Sequence, residues 1–283
     1  MTRQTGMMGL ETFRAVVDQL APWKPELRLF NFGEPLLHPE LTAMIRYART
    51  KGVATHIQTN GLLLDEIHCK ALIEAGIDYI GVSVNGITEA EYATIRPGCR
   101  LADVKENVRL LRATLRQLGA SVYLHVNAQI LASERNDRQA DINRFANYWE
   151  GLPDSLSVSG ISLFENVSVM KTGRNATVRQ AELPRKQLSA VACSEPFDRL
   201  VVKWDGRVTP CCVDYDARLV LGQIGRQTLE EIWHGAALAA LRLLVSEKRY
   251  ESSALCRSCP KLYSTEFTLL FKKIPHAKKN KNI

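Results

Sequence analysis

The chain has 283 residues, 46% hydrophobic and 24% charged, a globular balance that excludes a disordered or fibrous protein. No apolar run approaches the roughly eighteen residues of a membrane span, and the first ten residues hold no apolar stretch of a secretory leader. Net charge is +7, but Lys272, Lys273, Lys278, Lys279 and Lys281 supply five of those charges, so the body is nearly balanced. The expected compartment is the cytoplasm. The lysine tail reads as a solvated, frayed end, and neither a membrane nor a nucleic acid is an expected partner.

Leu10, Phe13, Val17 and Leu20 recur at helical spacing, and residues 27–32 read as a strand. Leu41, Met44, Ile45 and Ala48 predict a helix and 53–58 a strand. A short helix over 65–75 closes at Gly76, before a strand over 77–84. Thr88 and Glu91 have capping-box spacing, and Val104, Val108, Leu111, Leu115 and Leu118 mark a longer helix. A strand over 122–131, a helix over 137–149 and a strand over 156–164 complete the series. Repeated αβ units predict an α/β fold, a parallel sheet with helices outside, open or closed into a partial barrel. The series opens on a helix where such domains open on a strand, so one leading βα unit is expected to be missing. Residues 165–190 are polar and irregular and read as a linker. From 191 the texture changes to short strands around Asp205-Gly206 and a helix from Thr228, whose apolar face includes Ile232, Trp233, Ala236 and Ala240. The expected division is a core over 1–164, a linker over 165–190, a cysteine-rich unit over 191–263 and a basic tail over 264–283.

Several strands carry polar residues at every second position: His56, Gln58 and Asn60; Ser83 and Asn85; His125, Asn127 and Gln129. Period two puts each set on one face. The outward face must be apolar to receive helices, so the polar face is expected to look inward. An interior of amides and hydroxyls is costly unless it holds water or a polar ligand, which predicts a ligand cavity. Gly33-Glu34-Pro35 is a tight strand exit where a ligand can approach the backbone and the glutamate can receive an ammonium group.

Seven cysteines are spread unevenly, with Cys193, Cys211, Cys212, Cys256 and Cys259 in the last third. Cys256-x-x-Cys259 with Cys193 and Cys211 makes a set of four thiols fit for zinc or for one iron–sulfur cluster. Cys212 competes with Cys211 for the same role. Cys69 and Cys99 read as small packing residues.

These residues together resemble the radical S-adenosylmethionine (SAM) enzymes with a C-terminal SPASM-type domain. The marks are Gly33-Glu34-Pro35-Leu36-Leu37-His38-Pro39, Thr59-Asn60-Gly61, Ser83-Val84-Asn85-Gly86, Tyr92 through Ile95-Arg96-Pro97-Gly98, Leu221-Gly222-Gln223-Ile224, Glu231-Ile232-Trp233 and the late cysteines. The resemblance implies a partial (β/α)6 barrel lacking its first strand, followed by a small cysteine-rich domain. It places Gly33 and Glu34 at the SAM amino group and Ser83 at its methionyl or ribose part. Thr59 and Asn60 line the same cavity, and Asn85, Asn127 and Gln129 join the cofactor-binding set. It makes Cys193, Cys211, Cys256 and Cys259 ligands of one auxiliary [4Fe–4S] cluster, in a shortened version of the domain. It implies reductive cleavage of SAM to a 5′-deoxyadenosyl radical, hydrogen abstraction from a peptide or sugar-like small molecule, and an electron donor such as flavodoxin or ferredoxin. The family's CxxxCxxC loop is absent from these residues, which leaves the catalytic residues unassigned. The expected explanation is a fragment. The alternative is a non-catalytic iron–sulfur or zinc module derived from such an enzyme.

Overall fold

The computed structural model describes residues 4–130, 138–160, 193–257, 259, 262 and 270–273. Five parallel strands stand side by side in chain order: β1 (Leu27–Arg28), β2 (Thr55–Thr59), β3 (Tyr79–Asn85), β4 (Tyr123–Ile130) and β5 (Ser155–Gly160). Helix α1 (Leu10–Leu20) precedes β1. Crossovers are made by α2 (Leu41–Thr50), by α3 (Glu66–Ala75), by α4 (Glu89–Ile95) with α5 (Leu101–Gln117), and by α6 (Arg138–Tyr148). This is the α/β architecture of a partial barrel, and it follows from the alternation of apolar periods along the sequence.

One face of the sheet is apolar and carries the helices. Ile57, Ile80, Val82, Val84, Leu124, Val126 and Ala128 are buried there in one core with Ile45, Leu72, Val108, Leu111, Phe145 and Trp149. Burying each large aliphatic side chain stabilises the fold by about 1.5–3 kcal/mol, so this layer fixes which face of each strand looks away from it. Helix ends are set locally. Asp65 Oδ1 accepts from His68 N at 2.8 Å to start α3, and Gly76 ends it at φ 87°. Thr88 caps α4 by accepting from Glu91 N, while Glu91 reaches one residue further back and accepts from Ile87 N.

A second, three-stranded antiparallel sheet contains β6 (Val201–Val202), β7 (Arg207–Thr209) and β8 (Gly222–Gln223), after the short helix α7 (Glu195–Asp198). It packs on the side of α1: Val208, Ile224, Leu229 and Ile232 share a core with Val16. Leu229 N donates to Gln19 Oε1 at 2.6 Å across the same junction.

Three expectations change. The strand predicted over 27–32 is only Leu27–Arg28, because after Leu29 N bonds His56 O the chain turns away through Gly33 into the 3₁₀ turn Pro35–Leu37. The helix from Thr228 divides into α8 (Leu229–Trp233), opened by a complete Thr228–Glu231 capping box, and α9 (Ala236–Ser246). The break falls at Gly235, extended at φ −69° and ψ 154°, where glycine's poor helix propensity favours an interruption. The tail is not wholly frayed: β9 (Leu270–Lys273) pairs antiparallel with Ser155–Val158 of β5, which satisfies backbone groups on that edge. The predicted linker over 165–190 and the last residues of the tail lie outside the described residues. Among the described residues no helix is long and apolar enough to cross a membrane.

Candidate functional site

The face opposite the helices is polar. Register places Gln58 beside Gly81, Gly81 beside His125 and His125 beside Ser155. One step further, Ser83, Asn127 and Ser157 lie in a row, and above them Asn85 stands beside Gln129. Gln58 Nε2 donates to Ser83 Oγ at 2.8 Å, and Asn127 Nδ2 donates to Ser157 Oγ at 2.8 Å. The His125 nitrogens lie 2.6 and 2.9 Å from the hydroxyls of Ser155 and Ser157. Asn85 Oδ1 accepts from Arg96 Nη2 at 3.3 Å. Ser83, Asn85 and Asn127 are thus brought together as expected. The side chain of Gln129 lies outside the described residues. A Cβ on Gly81 would stand 2.0 Å from Gln58 Oε1. The bare backbone there is what lets the glutamine lie across the sheet and reach Ser83.

At the strand exits, Glu34 Oε2 accepts from Asn60 N at 2.8 Å and its Oε1 from Leu36 N at 3.2 Å. One carboxylate therefore ties the β1 loop to the end of β2. Gly33 has φ +132°, open to glycine and strained for other residues, and a Cβ there would meet nothing within 4 Å. The space beside the loop is open. Asn60 Oδ1 accepts from Leu62 N, and Asn107 Nδ2 holds the carbonyls of Gly61 and Leu62. Thr59 corrects an expectation. Strand parity sets it with Ile57 on the helix side, it is buried, and its hydroxyl accepts from Gly61 N at 3.1 Å. It shapes the turn and does not line the polar face.

The N-terminal end of the same face holds residues that the motif reading left out. Glu26 precedes β1 and carries no motif of its own; its Oε1 accepts from His56 Nδ1 at 2.9 Å. Burial pushes the His56 ring below the usual histidine range, against the pull of Glu26. His125 is lowered as well, by burial and then by the nearby His56. Burial raises the Tyr79 hydroxyl to about 12, so it stays protonated. The period-two pattern contained His56 and His125, and only their pairing with Glu26 and the serines needed the fold.

The late cysteines converge. Cys193, Cys256 and Cys259 pack around the core of Leu238, Leu241, Val245, Tyr250 and Leu262. Cys211 is close enough to Cys212 and Cys259 to sense both, and burial pushes its thiol up to about 12. Burial raises Cys256 too. A thiol so disfavoured as an anion becomes a thiolate when a cation neutralises it, as iron or zinc does. Among the described residues no group of three or more His, Cys, Asp or Glu is arranged to hold a single metal ion. One tetrahedral zinc needs sulfurs about 2.3 Å from the metal, whereas a four-iron cluster carries its ligands on separate corners and accepts a wider ring. Cys212 is half-buried beside Cys211. Cys69 is fully buried in the main core, as expected of a packing residue.

Comparison with known proteins agrees with this layout. Residues 2–129 match the Radical SAM superfamily, and residues 193–260 match the SPASM iron–sulfur cluster-binding domain. The Fe-coproporphyrin III synthase of Methanosarcina barkeri is 40% identical over 82 residues, 29% of this chain and 21% of that protein. The S-adenosyl-L-methionine-dependent 2-deoxy-scyllo-inosamine dehydrogenase of Niallia circulans is 31% identical over 77 residues, 27% of this chain and 31% of that protein. The matched segments span less than a third of either relative. Streptococcus suis SuiB, solved with S-adenosylmethionine, superposes with a TM-score of 0.63 at 13% identity over 92% of this chain and 67% of its own; it has also been solved with the precursor peptide SuiA. At that identity the likeness is one of fold.

Proposed function

Because this chain belongs to the radical SAM superfamily and carries a SPASM iron–sulfur domain, we propose that it serves a SAM-dependent radical reaction. The SAM molecule sits at the strand exits, and one auxiliary [4Fe–4S] cluster sits on Cys193, Cys211, Cys256 and Cys259. The observation that carries the reading is the polar inner face, which runs up to open space at Gly33, where Glu34 ties two strand exits together. Both groups fit the residues present. The glycine loop leaves backbone and carboxylate accessible to an amino-acid moiety, and Cys193, Cys256 and Cys259 gather around Tyr250 with Cys211 near Cys259.

Paired with a reduced cluster, SAM supplies hydrogen-atom abstraction from an unactivated carbon. The chain's own residues do the positioning. Gly33 and Glu34 meet the amino group, with Asn60 holding the neighbouring turn. Ser83 and Asn85 take hydroxyl groups, supported by Gln58 and Arg96. Asn127 extends the polar wall. The apolar helix layer behind the sheet keeps bulk water from the opposite side. The substrate is a small polar molecule or a peptide, the electron comes from a flavodoxin or ferredoxin, and the compartment is the cytoplasm.

Labelled SAM in equilibrium dialysis tests the assignment. Glu34→Ala is expected to weaken binding about tenfold or more, since hydrogen bonds to a charged group contribute about 1.5–3 kcal/mol. Glu34→Gln should retain part of the affinity by keeping one acceptor. Equal affinity in all three proteins would remove the strand exits as the binding site.

A further inference from the structure

The turn that carries the last two cysteines is built on a serine. Ser253 has extended backbone, φ −111° and ψ 124°, and its carbonyl accepts from Arg257 N at 2.9 Å. Its Oγ accepts from Cys256 N at 3.3 Å. That is the geometry of an N-cap, with Cys256 three residues into a single helical turn. The capping bond uses a lone pair of the hydroxyl and leaves its proton. That proton has a partner in reach. Burial raises the Cys256 thiol, and a hydrogen bond with the Ser253 hydroxyl pulls it back. A thiolate only accepts, so in the ligating form of Cys256 the O–H donates to the sulfur.

Cys211 is supplied in the same way by the backbone. The N–H groups of Val213 and Asp214 reach its sulfur. Asp214 is buried, and its carboxylate accepts from Arg218 N at 2.7 Å and from Leu219 N at 2.9 Å, which holds the turn after Cys211 in place. Donors aimed at a ligand sulfur stabilise negative charge there, and they help to set the reduction potential of an iron–sulfur cluster. A reduced cluster carries one more negative charge than an oxidised one, so each donor favours the reduced form. The donors to Cys211 belong to the main chain, whereas Ser253 supplies its donor from a side chain that a substitution can remove.

We infer that Ser253 sets the redox poise of the cysteine site: its hydroxyl donates to the Cys256 sulfur and raises the reduction potential of the cluster held there. The inference rests on the proposed [4Fe–4S] cluster at Cys193, Cys211, Cys256 and Cys259. The step concerned is the entry of one electron from a one-electron reductant, which takes the cluster from 2+ to 1+ while the reductant is oxidised; no bond forms or breaks. Ser253 acts through Cys256 and is a positioning residue.

The test uses the full chain, reconstituted without oxygen, as wild type, Ser253→Ala, Ser253→Gly and Ser253→Thr. Iron and acid-labile sulfide are measured first. The reduced cluster is then followed by EPR in a mediated titration with dithionite as the reductant. Ser253→Ala and Ser253→Gly should keep about four irons and move the midpoint potential downward. The expected size is about tenfold in the one-electron equilibrium, about 59 mV. Ser253→Thr keeps an O–H and should stay at the wild-type potential. Glycine is tolerated at an N-cap, so it covers the case in which the alanine variant fails to fold. In ²H₂O, both variants without the hydroxyl should also lose an exchangeable-proton coupling from the ENDOR spectrum of the reduced cluster. A serine that only caps the turn would move neither signal. An unchanged potential at full iron in either hydroxyl-free variant would overturn the inference and leave the cluster reading standing. Loss of iron from both would overturn it as well, giving Ser253 a structural role instead. Zinc without iron in the wild type would reject the cluster reading itself, and the inference with it.

Discussion

Gly81 shows how an absent side chain shapes the interior. Its position faces inward between Gln58 and His125, and an added Cβ would displace the Gln58 carboxamide that supports Ser83. The displaced group is the end of a flexible side chain, so Gly81→Ala is expected to fold with near wild-type stability while SAM affinity falls; a thermal melt and a dialysis assay read the two separately. Undisturbed affinity would mean that the Gln58–Ser83 contact does not support the site. His56 and His125 give the same face a pH signature. Both rings are held below the ordinary value of 6.5, so the unfolded chain binds more protons than the folded one as pH falls past that value. Their contribution is complete above about 6.5 and is lost towards the folded values. The melting temperature should therefore drop between about pH 7 and pH 5, and less steeply in His125→Asn. A flat profile in the wild type would contradict the burial assigned to the rings. At this scale the sequence showed the inward polar positions, since period two leaves little choice, and it missed Glu26, whose role depends on a strand thirty residues later. Thr59 was misread because a turn motif does not reveal strand parity.

Elements were legible where chemistry is local. The Thr228–Glu231 box and the Asp65 and Gly76 ends of α3 stand where their residues require. Asp65→Ala removes the acceptor for His68 N and is expected to cost about 1 kcal/mol in denaturant unfolding; no change would show that another group caps the helix. Elements were illegible where tertiary demands decide. The run over 27–32 has strand composition, but the Gly33 turn ends its pairing after Leu29. The apolar positions from Thr228 onward fit one helix, and only the extended backbone at Gly235 separates two. The pairing of Leu270–Lys273 with β5 is a long-range contact that a basic composition does not announce.

On the scale of the whole molecule, the sheet and the cysteine-rich unit are joined at several points. Val16 enters the core of the second unit, and Leu229 N bonds Gln19. Trp204 Nε1 donates to Gln4 O, and Gly6 lies so close to that indole that a Cβ would stand 2.5 Å away. Phe32, next to the Gly33 loop, meets the ring of Tyr215 four residues past Cys211, with centroids 5.5 Å apart. The strand-exit loop and the cysteine loop are therefore in direct contact, which places the proposed SAM and cluster sites in one continuous assembly. The most direct test of that account is iron and acid-labile sulfide per chain after anaerobic reconstitution, in the wild type, Cys256→Ala and Cys212→Ser. The account predicts about four irons with matching sulfide, as for a four-cysteine cluster, lost in Cys256→Ala and kept in Cys212→Ser. One zinc without iron, or full iron in Cys256→Ala, would contradict it.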